Sequence, residues 1–408
     1  MSLPIPKVEI GFDLQGPNAP LFTLDSATKG VLDSTEFTLS GTVFYDVTES
    51  VTSVSVQRGK NREFGQYDPG LANVVFNNND RTFDPEYEAS PFYGQIIPKR
   101  AIRISSGGRF IFSGVVDDWN LAYDVSGYSQ ASAACSDGFS NFNSQFLTPG
   151  TSTPQTSGER VSAVLSDPLI DWPLAKRNIQ TGRSDFGADI IEEGANALAY
   201  LQQIQESEAG DLFIGKSGEL IFKDRTATSS DDFLTFADDE SGIGYQTMQV
   251  VYGSELLYNE ISITNFAETT VTVTDTASVA EYGGLALTTG TSLVASTEEL
   301  ANIALLLATR YSQPEYRFDA ISVILDKFDT ATQNQMLDLE LGDVVEIKFT
   351  PNKLPPAISK FAAISNVKHE VTPTSHIVTF GFRTIEKSAW TLSDAVFGRL
   401  SSNNILSF

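Results

Sequence analysis

The chain has 408 residues and a formal net charge of -25, which suits two or three domains and argues against a binder of nucleic-acid backbone, because neutralising phosphates takes surplus Lys and Arg. Hydrophobic residues make up 41% and phenylalanines alone number 27, enough apolar area to fold without staples, and the one cysteine, Cys135, excludes an intrachain disulfide or a thiolate metal cage built by a single chain. No basic start leads into an apolar stretch and no apolar run approaches the roughly 18 residues of a membrane span, so a soluble protein without an export signal is expected.

Residues 1–50 read as the opening segment of a first β domain that continues over 51–147. Thr52, Val54 and Val56 alternate with serines, and Phe110 and Phe112 answer Ile102 and Ile104 across Gly107-Gly108, a two-residue hairpin signal. The Pro- and Ser-rich stretch 148–157 reads as a linker, and beyond it the period changes from two to three or four. Residues 195–208 place Leu198, Leu201 and Ile204 on one helical stripe, with Gly210 as the left-handed residue that ends the helix. Short strand-like runs at 211–214 and 219–222 flank Gly215-Lys216-Ser217-Gly218, and an acidic loop over 231–240 closes an α+β insertion, 148–245. Residues 246–386 return to strands at 259–265, 321–325 and 344–349 and end in a hairpin carrying Val378, Phe380 and Phe382. They hold one helix, 297–311, with Ser296 as N-cap, Glu299 as its capping-box partner, and Leu300, Ile303, Ala304, Leu307 and Tyr311 on one face. The tail, 387–408, carries isolated apolar side chains such as Trp390, Phe397 and Phe408; it either packs back or reaches a neighbouring subunit. The fold class is mainly β with an α+β insertion.

Chemical motifs are few. Residues 210–217 match the phosphate-loop pattern G-x-x-x-x-G-K-[ST] letter by letter. A phosphate loop follows a strand and opens a helix, whereas here a helix precedes Gly210 and strand-like residues follow Ser217, so Lys216 belongs on a hairpin turn. His369 and His376, the only histidines, lie in the last hairpin, where strand surface is their simplest role. Asp117-Asp118 beside Trp119 is imaginable as a glycosidase pair, but successive strand residues point to opposite faces. The run 77–84 lacks the central Gly and terminal Glu of a calcium loop and reads as a turn held by Asx side chains. The expectation is no catalytic residue, no metal site and no cofactor.

Charge is uneven along the chain. Residues 184–309 hold 21 acidic and 3 basic side chains, while 56–110 hold 8 basic and 6 acidic. One region repels polyanions and the other can pair with it, although acidic excess also serves solubility alone.

Three runs resemble the minor tail proteins of siphophages that infect actinobacteria and related hosts: Ser55-Val56-Gln57-Arg58-Gly59-Lys60-Asn61-Arg62-Glu63, then Val74 onward through Asn77-Asn78-Asn79-Asp80-Arg81-Thr82-Phe83-Asp84-Pro85, then Ser90-Pro91-Phe92-Tyr93-Gly94-Gln95 to Pro98-Lys99-Arg100. Two later runs, Tyr311-Ser312-Gln313-Pro314-Glu315-Tyr316-Arg317-Phe318 and Leu339-Glu340-Leu341-Gly342-Asp343-Val344-Val345, look like the same family's C-terminal region in the same order. The resemblance implies a tail-tip hub, similar to the central hubs of contractile-phage baseplates and type VI secretion spikes. Such a hub is a homotrimeric ring with two β-barrel-like domains per subunit, here 51–147 and 246–386, flanking the smaller α+β module. It implies a place in the virion, after synthesis in the host cytoplasm, joining tail tube to tip and framing the DNA exit channel. The implied partners are further copies of the chain, the distal tail protein, tube, tape measure and fibres, with DNA only in transit and the host envelope met during ejection. A closed ring needs two different complementary surfaces, and Arg58, Lys60, Arg62, Lys99, Arg100 and Arg103 are the candidate inter-subunit cations; pairing within their own sheet is the other reading. Competing functions are a distal tail or receptor-binding component and a tail-associated wall-degrading enzyme.

Overall fold

The computed structural model describes residues 6–12, 43–60, 66–225 and 233–385. Alternating apolar side chains build a sheet of 13 strands. In order of pairing it runs Thr247–Val251, Arg317–Ile324, Ser375–Thr384, Ile358–Thr372, Val51–Gly59, Leu71–Asn77, Ser129–Ser136, Arg109–Tyr123, Ala101–Ser106, Pro6–Phe12 and Val43–Asp46. Val344–Phe349 branches from Ile358–Thr372, and Leu234–Ala237 lies parallel beside it. The two β regions expected from the sequence are therefore one continuous ladder, and among the described residues strand pairing closes neither of them into a barrel.

Ile358–Thr372 makes the join. Its first part pairs antiparallel with Val344–Phe349 and its second with Val51–Gly59, while Ser375–Thr384 runs along its other edge. The register slips between Ile364 and Asn366, and the Ser365 carbonyl accepts the Lys60 N–H at 2.9 Å. Gly59 has φ +105° at this crossing, and a Cβ there would lie 2.2 Å from the Ser365 oxygen, so only glycine fits the join.

The insertion packs on this sheet. Helix Ser157–Leu165 begins inside the stretch read as linker, with a complete capping box between Thr156 and Glu159. Helix Ala197–Glu208 buries Leu198, Leu201 and Ile204 as expected, but the left-handed residue that ends it is Ala209, φ 55°. Gly210 is needed for another reason: a Cβ on it would meet the Lys223 carbonyl at 2.4 Å. Asp211–Ile214 and Leu220–Lys223 form the expected hairpin, extended in parallel by Arg177–Ile179. Leu234–Ala237, read as part of the closing loop, joins the large sheet because Phe236 is buried against Phe380.

Glu260–Asn265 leaves the large sheet and lies between Thr270–Thr274 and Ala286–Ser292 in a separate three-stranded sheet. Helix Thr297–Tyr311 packs on it with Leu300, Ile303, Ala304 and Tyr311 buried. Ser296 caps this helix as expected, but the Glu299 carboxylate turns away to Arg225 at 3.1 Å, so the box is half made. A further helix, Thr330–Asp338, is capped by Asp329. Val54, Phe76, Ile104, Leu201, Phe222, Leu300 and Phe380 belong to one contiguous core. Among the described residues no helix is long and apolar enough to cross a membrane.

Candidate interaction surface

Of the six cations singled out by the sequence, two point inward. Arg58 follows Val54 and Val56 on the buried phase of Val51–Gly59. Its Nη2 lies 2.8 Å from Glu340 Oε1 and its Nη1 donates to the Ile214 carbonyl at 3.3 Å. Burial alone would raise the Glu340 pKa; Arg58 and the N–H groups of Leu341 and Lys216 outweigh it and hold the carboxyl below its ordinary range. Lys60 is buried beside Asp211, 4.0 Å away, and over the Tyr67 ring. Asp211 also receives Arg383 at 2.6 Å and the Tyr67 hydroxyl at 3.0 Å. Arg58 and Lys60 thus tie the first β region to the insertion and to the 339–343 turn, because the strand phase that buries Val54 and Val56 carries both side chains into the junction.

The others face outward. Lys99 is largely exposed and pairs with Asp117. Arg100 donates to the Gln95 side chain at 2.6 Å. Arg103 pairs with Glu9 at 2.8 Å and covers the Phe44 ring at 3.9 Å; its hydrogen bond holds the Glu9 pKa below normal. Arg62 and the tail 387–408 lie outside the described residues. The surface cations are therefore Lys99, Arg100 and Arg103, all in the first β region. The same β region also carries an apolar feature, the hairpin tip between Arg109–Tyr123 and Ser129–Ser136, where Tyr123, Val125 and Tyr128 are exposed. Two tyrosines flanking the Asp124–Gly127 turn were its sequence signal.

The motif 210–217 is strand, turn and strand, as its context predicted. Lys216 Nζ donates to the carbonyls of Leu337, Asp338 and Leu339 at 2.8, 2.7 and 3.4 Å, closing the C-terminal end of helix Thr330–Asp338. The run 77–84 is a series of Asx turns: Asn77 accepts from Asn79 N, Asn78 from Phe83 N, Asp80 from Thr82 N, all within 2.9–3.1 Å. Asp117 sits at a bulge, and Trp119 stacks on Phe76 and Phe83 and donates to the Ile97 carbonyl, so the ring is packed and offers no sugar platform. Among the described residues no three His, Cys, Asp or Glu side chains gather as a metal site.

The histidines differ most from expectation, for neither lies on the surface. His369 Nδ1 is 3.1 Å from His376 Nε2, and His376 Nδ1 is 3.1 Å from Ser106 Oγ, in a buried line that bridges the two β regions. Desolvation, then the neighbouring ring, pushes the His369 pKa well below its ordinary value, and burial lowers that of His376 to about 4. Two neutral rings and a hydroxyl satisfy one another with alternating donors and acceptors.

No family model and no curated protein matches the chain. Solved structures do. The 43 kDa tail protein of prophage MuSo2 from Shewanella oneidensis superposes with a TM-score of 0.56 at 15% identity, over 84% of this chain and 94% of that one. The tail protein from Neisseria meningitidis MC58 gives 0.59 at 11% identity, over 84% and 93%. The E. coli c3393 protein, a component of the type VI secretion system described as similar to the T4 bacteriophage tail proteins gp27 and gp5, gives 0.50 at 10%, over 83% and 74%. The chain shares its fold with phage tail proteins.

Proposed function

We propose that this chain is a structural, non-enzymatic component of a phage tail, and specifically the hub of the tip, three copies closing into a ring that joins the tube to the tip and surrounds the path of exiting DNA. The observation that carries this reading is the fold shared with two phage tail proteins over more than nine-tenths of their lengths. In that ring the two β regions of each subunit act as barrel-like units. Lys99, Arg100 and Arg103 meet carboxylates of the next subunit, setting register and partner choice more than raw affinity. The tip at Tyr123, Val125 and Tyr128 supplies apolar contact, and the acidic middle keeps DNA from adsorbing as it passes. Distal tail, tube, tape measure and fibre proteins are the partners this reading assigns. Light scattering and electron microscopy of the purified full chain test it: rings of three are expected. A ring of six would reassign the chain to the distal tail position, a monomer that never enters particles would overturn the assembly reading, and DNA retained by the ring in a gel shift would overturn the account of the channel.

A further inference from the structure

A cavity of about 500 Å³ opens where the insertion meets the second β region, within the range of small-molecule sites. Four elements meet there: the end of helix Ala197–Glu208 with Gln205, the start of Asp211–Ile214, the end of helix Thr297–Tyr311 with Leu307, Arg310 and Tyr311, and strand Ala286–Ser292 with Leu287.

Most charges in the wall are already engaged. Asp211 holds Arg383 and Lys60, and Glu206 accepts the Gly290 N–H at 2.8 Å. Two groups stand apart. Gln205 is 7% exposed, and its Oε1 is buried with no donor. Arg310 makes no hydrogen bond or ion pair with a described residue, and its Nε is shielded from water without an acceptor. A cation in the last turn of a helix suits the helix dipole, which accounts for the charge of Arg310 but leaves its buried Nε without an acceptor. Buried polar atoms in folded chains are nearly always paired, so an orphaned acceptor and an orphaned cationic donor lining one hollow call for a ligand carrying the opposite groups.

We propose that this cavity binds a small carboxylate with an N–H donor on the adjacent carbon, as found in an N-acylated amino acid or at the C-terminal residue of a peptide. The carboxylate takes the Arg310 fork, the N–H donates to Gln205 Oε1, and the aliphatic portion lies against Leu287, Leu307 and the Tyr311 ring. This inference does not depend on the assembly reading, since every group it uses lies within one chain.

Calorimetric titration of the full chain tests it with three probes: N-acetyl-L-glutamate, the tripeptide acetyl-Ala-Ala-Glu with its C-terminal carboxylate free, and glutarate, which has the carboxylate but no N–H. Saturable binding of one of the first two is expected, and which of them binds tighter tells a free metabolite from a peptide. Arg310→Gln should weaken binding tenfold or more. Gln205→Leu should erase the preference over glutarate while the chain keeps its melting temperature. The proposal is overturned if neither amide-bearing probe saturates, if Arg310→Gln binds like the parent chain, or if glutarate binds as well as the acylated amino acid.

Discussion

Arg58 and Arg103 carry the same charge about one-tenth of the chain apart, yet the strand phase gives them different tasks. The Arg58 pair with Glu340 is nearly dry, and removing one partner of such a pair strands the other charge away from water. Arg58→Ala should therefore cost about 3–5 kcal/mol in denaturant unfolding, whereas Arg103→Ala, in a part-exposed pair, should stay within about 1 kcal/mol; equal losses would refute the distinction. The phase was readable, since Arg58 follows Val54 and Val56 at intervals of two. The histidines repeat the lesson: His369 lies between Val367 and Val371 on one phase, and His376 precedes Val378 and Phe380 on another, so alternation places both inside, against their polar side chains. Because both folded pKa values are depressed, the unfolded chain binds protons first as pH drops through about 6.5, and stability is lost from there towards pH 4, by roughly 3 kcal/mol for His376. Asp137, whose carboxyl burial pushes up to about 7, acts in the opposite direction, because the folded chain takes up its proton before the unfolded one. Comparing the parent with His376→Gln across that range separates the two: their stabilities should converge on acidification, and a constant difference would contradict the imidazole account.

At the level of elements, local signals held where one segment decides its own ends. Ser296 and Pro314 bracket helix Thr297–Tyr311 because caps act within one turn. Helix Ser157–Leu165 also carried its signal, Thr156 with Glu159, but Pro and Ser composition concealed it. Helix Thr330–Asp338 buries only Gln333, Met336 and Leu337, too few apolar positions for periodicity to reveal. Its far end is completed by Lys216, from a hairpin more than one hundred residues earlier. Lys216→Met should cost about 1–2 kcal/mol by leaving those carbonyls without a donor, and increase hydrogen exchange at residues 336–339 more than elsewhere. Uniform exchange would mean the lysine does not cap this helix. The same letters that spell a phosphate loop here spell a turn, because the flanking strands, and not the letters, determine where the backbone N–H groups point.

Across the whole molecule, the proposed ring assigns assembly to the charge split and the exposed cations. Lys99→Glu with Arg100→Glu leaves the Arg103–Glu9 pair intact and replaces one largely exposed and one part-exposed cation outside the core, so unfolding should shift by only about 1–2 kcal/mol. Incorporation into tails should nevertheless fall steeply at low salt, where unscreened charge steers association. Normal incorporation would remove these residues from the interface.

Composition and alternation by themselves determined that the chain is mainly β, that an α+β insertion interrupts it, that Lys216 sits on a turn, and that no thiolate cage exists, because each of these follows from the period, breakers or counts within a short window. Only the tertiary structure decided that the two β regions fuse through Ile358–Thr372, that Gly59 must be a glycine, that Arg58 meets Glu340 and His376 meets Ser106, and that Gln205 and Arg310 share a hollow. Those outcomes depend on which distant strand supplies the other half of a ladder and which groups are thereby withdrawn from water, and strands separated by about three hundred residues leave no mark of their pairing in either local pattern.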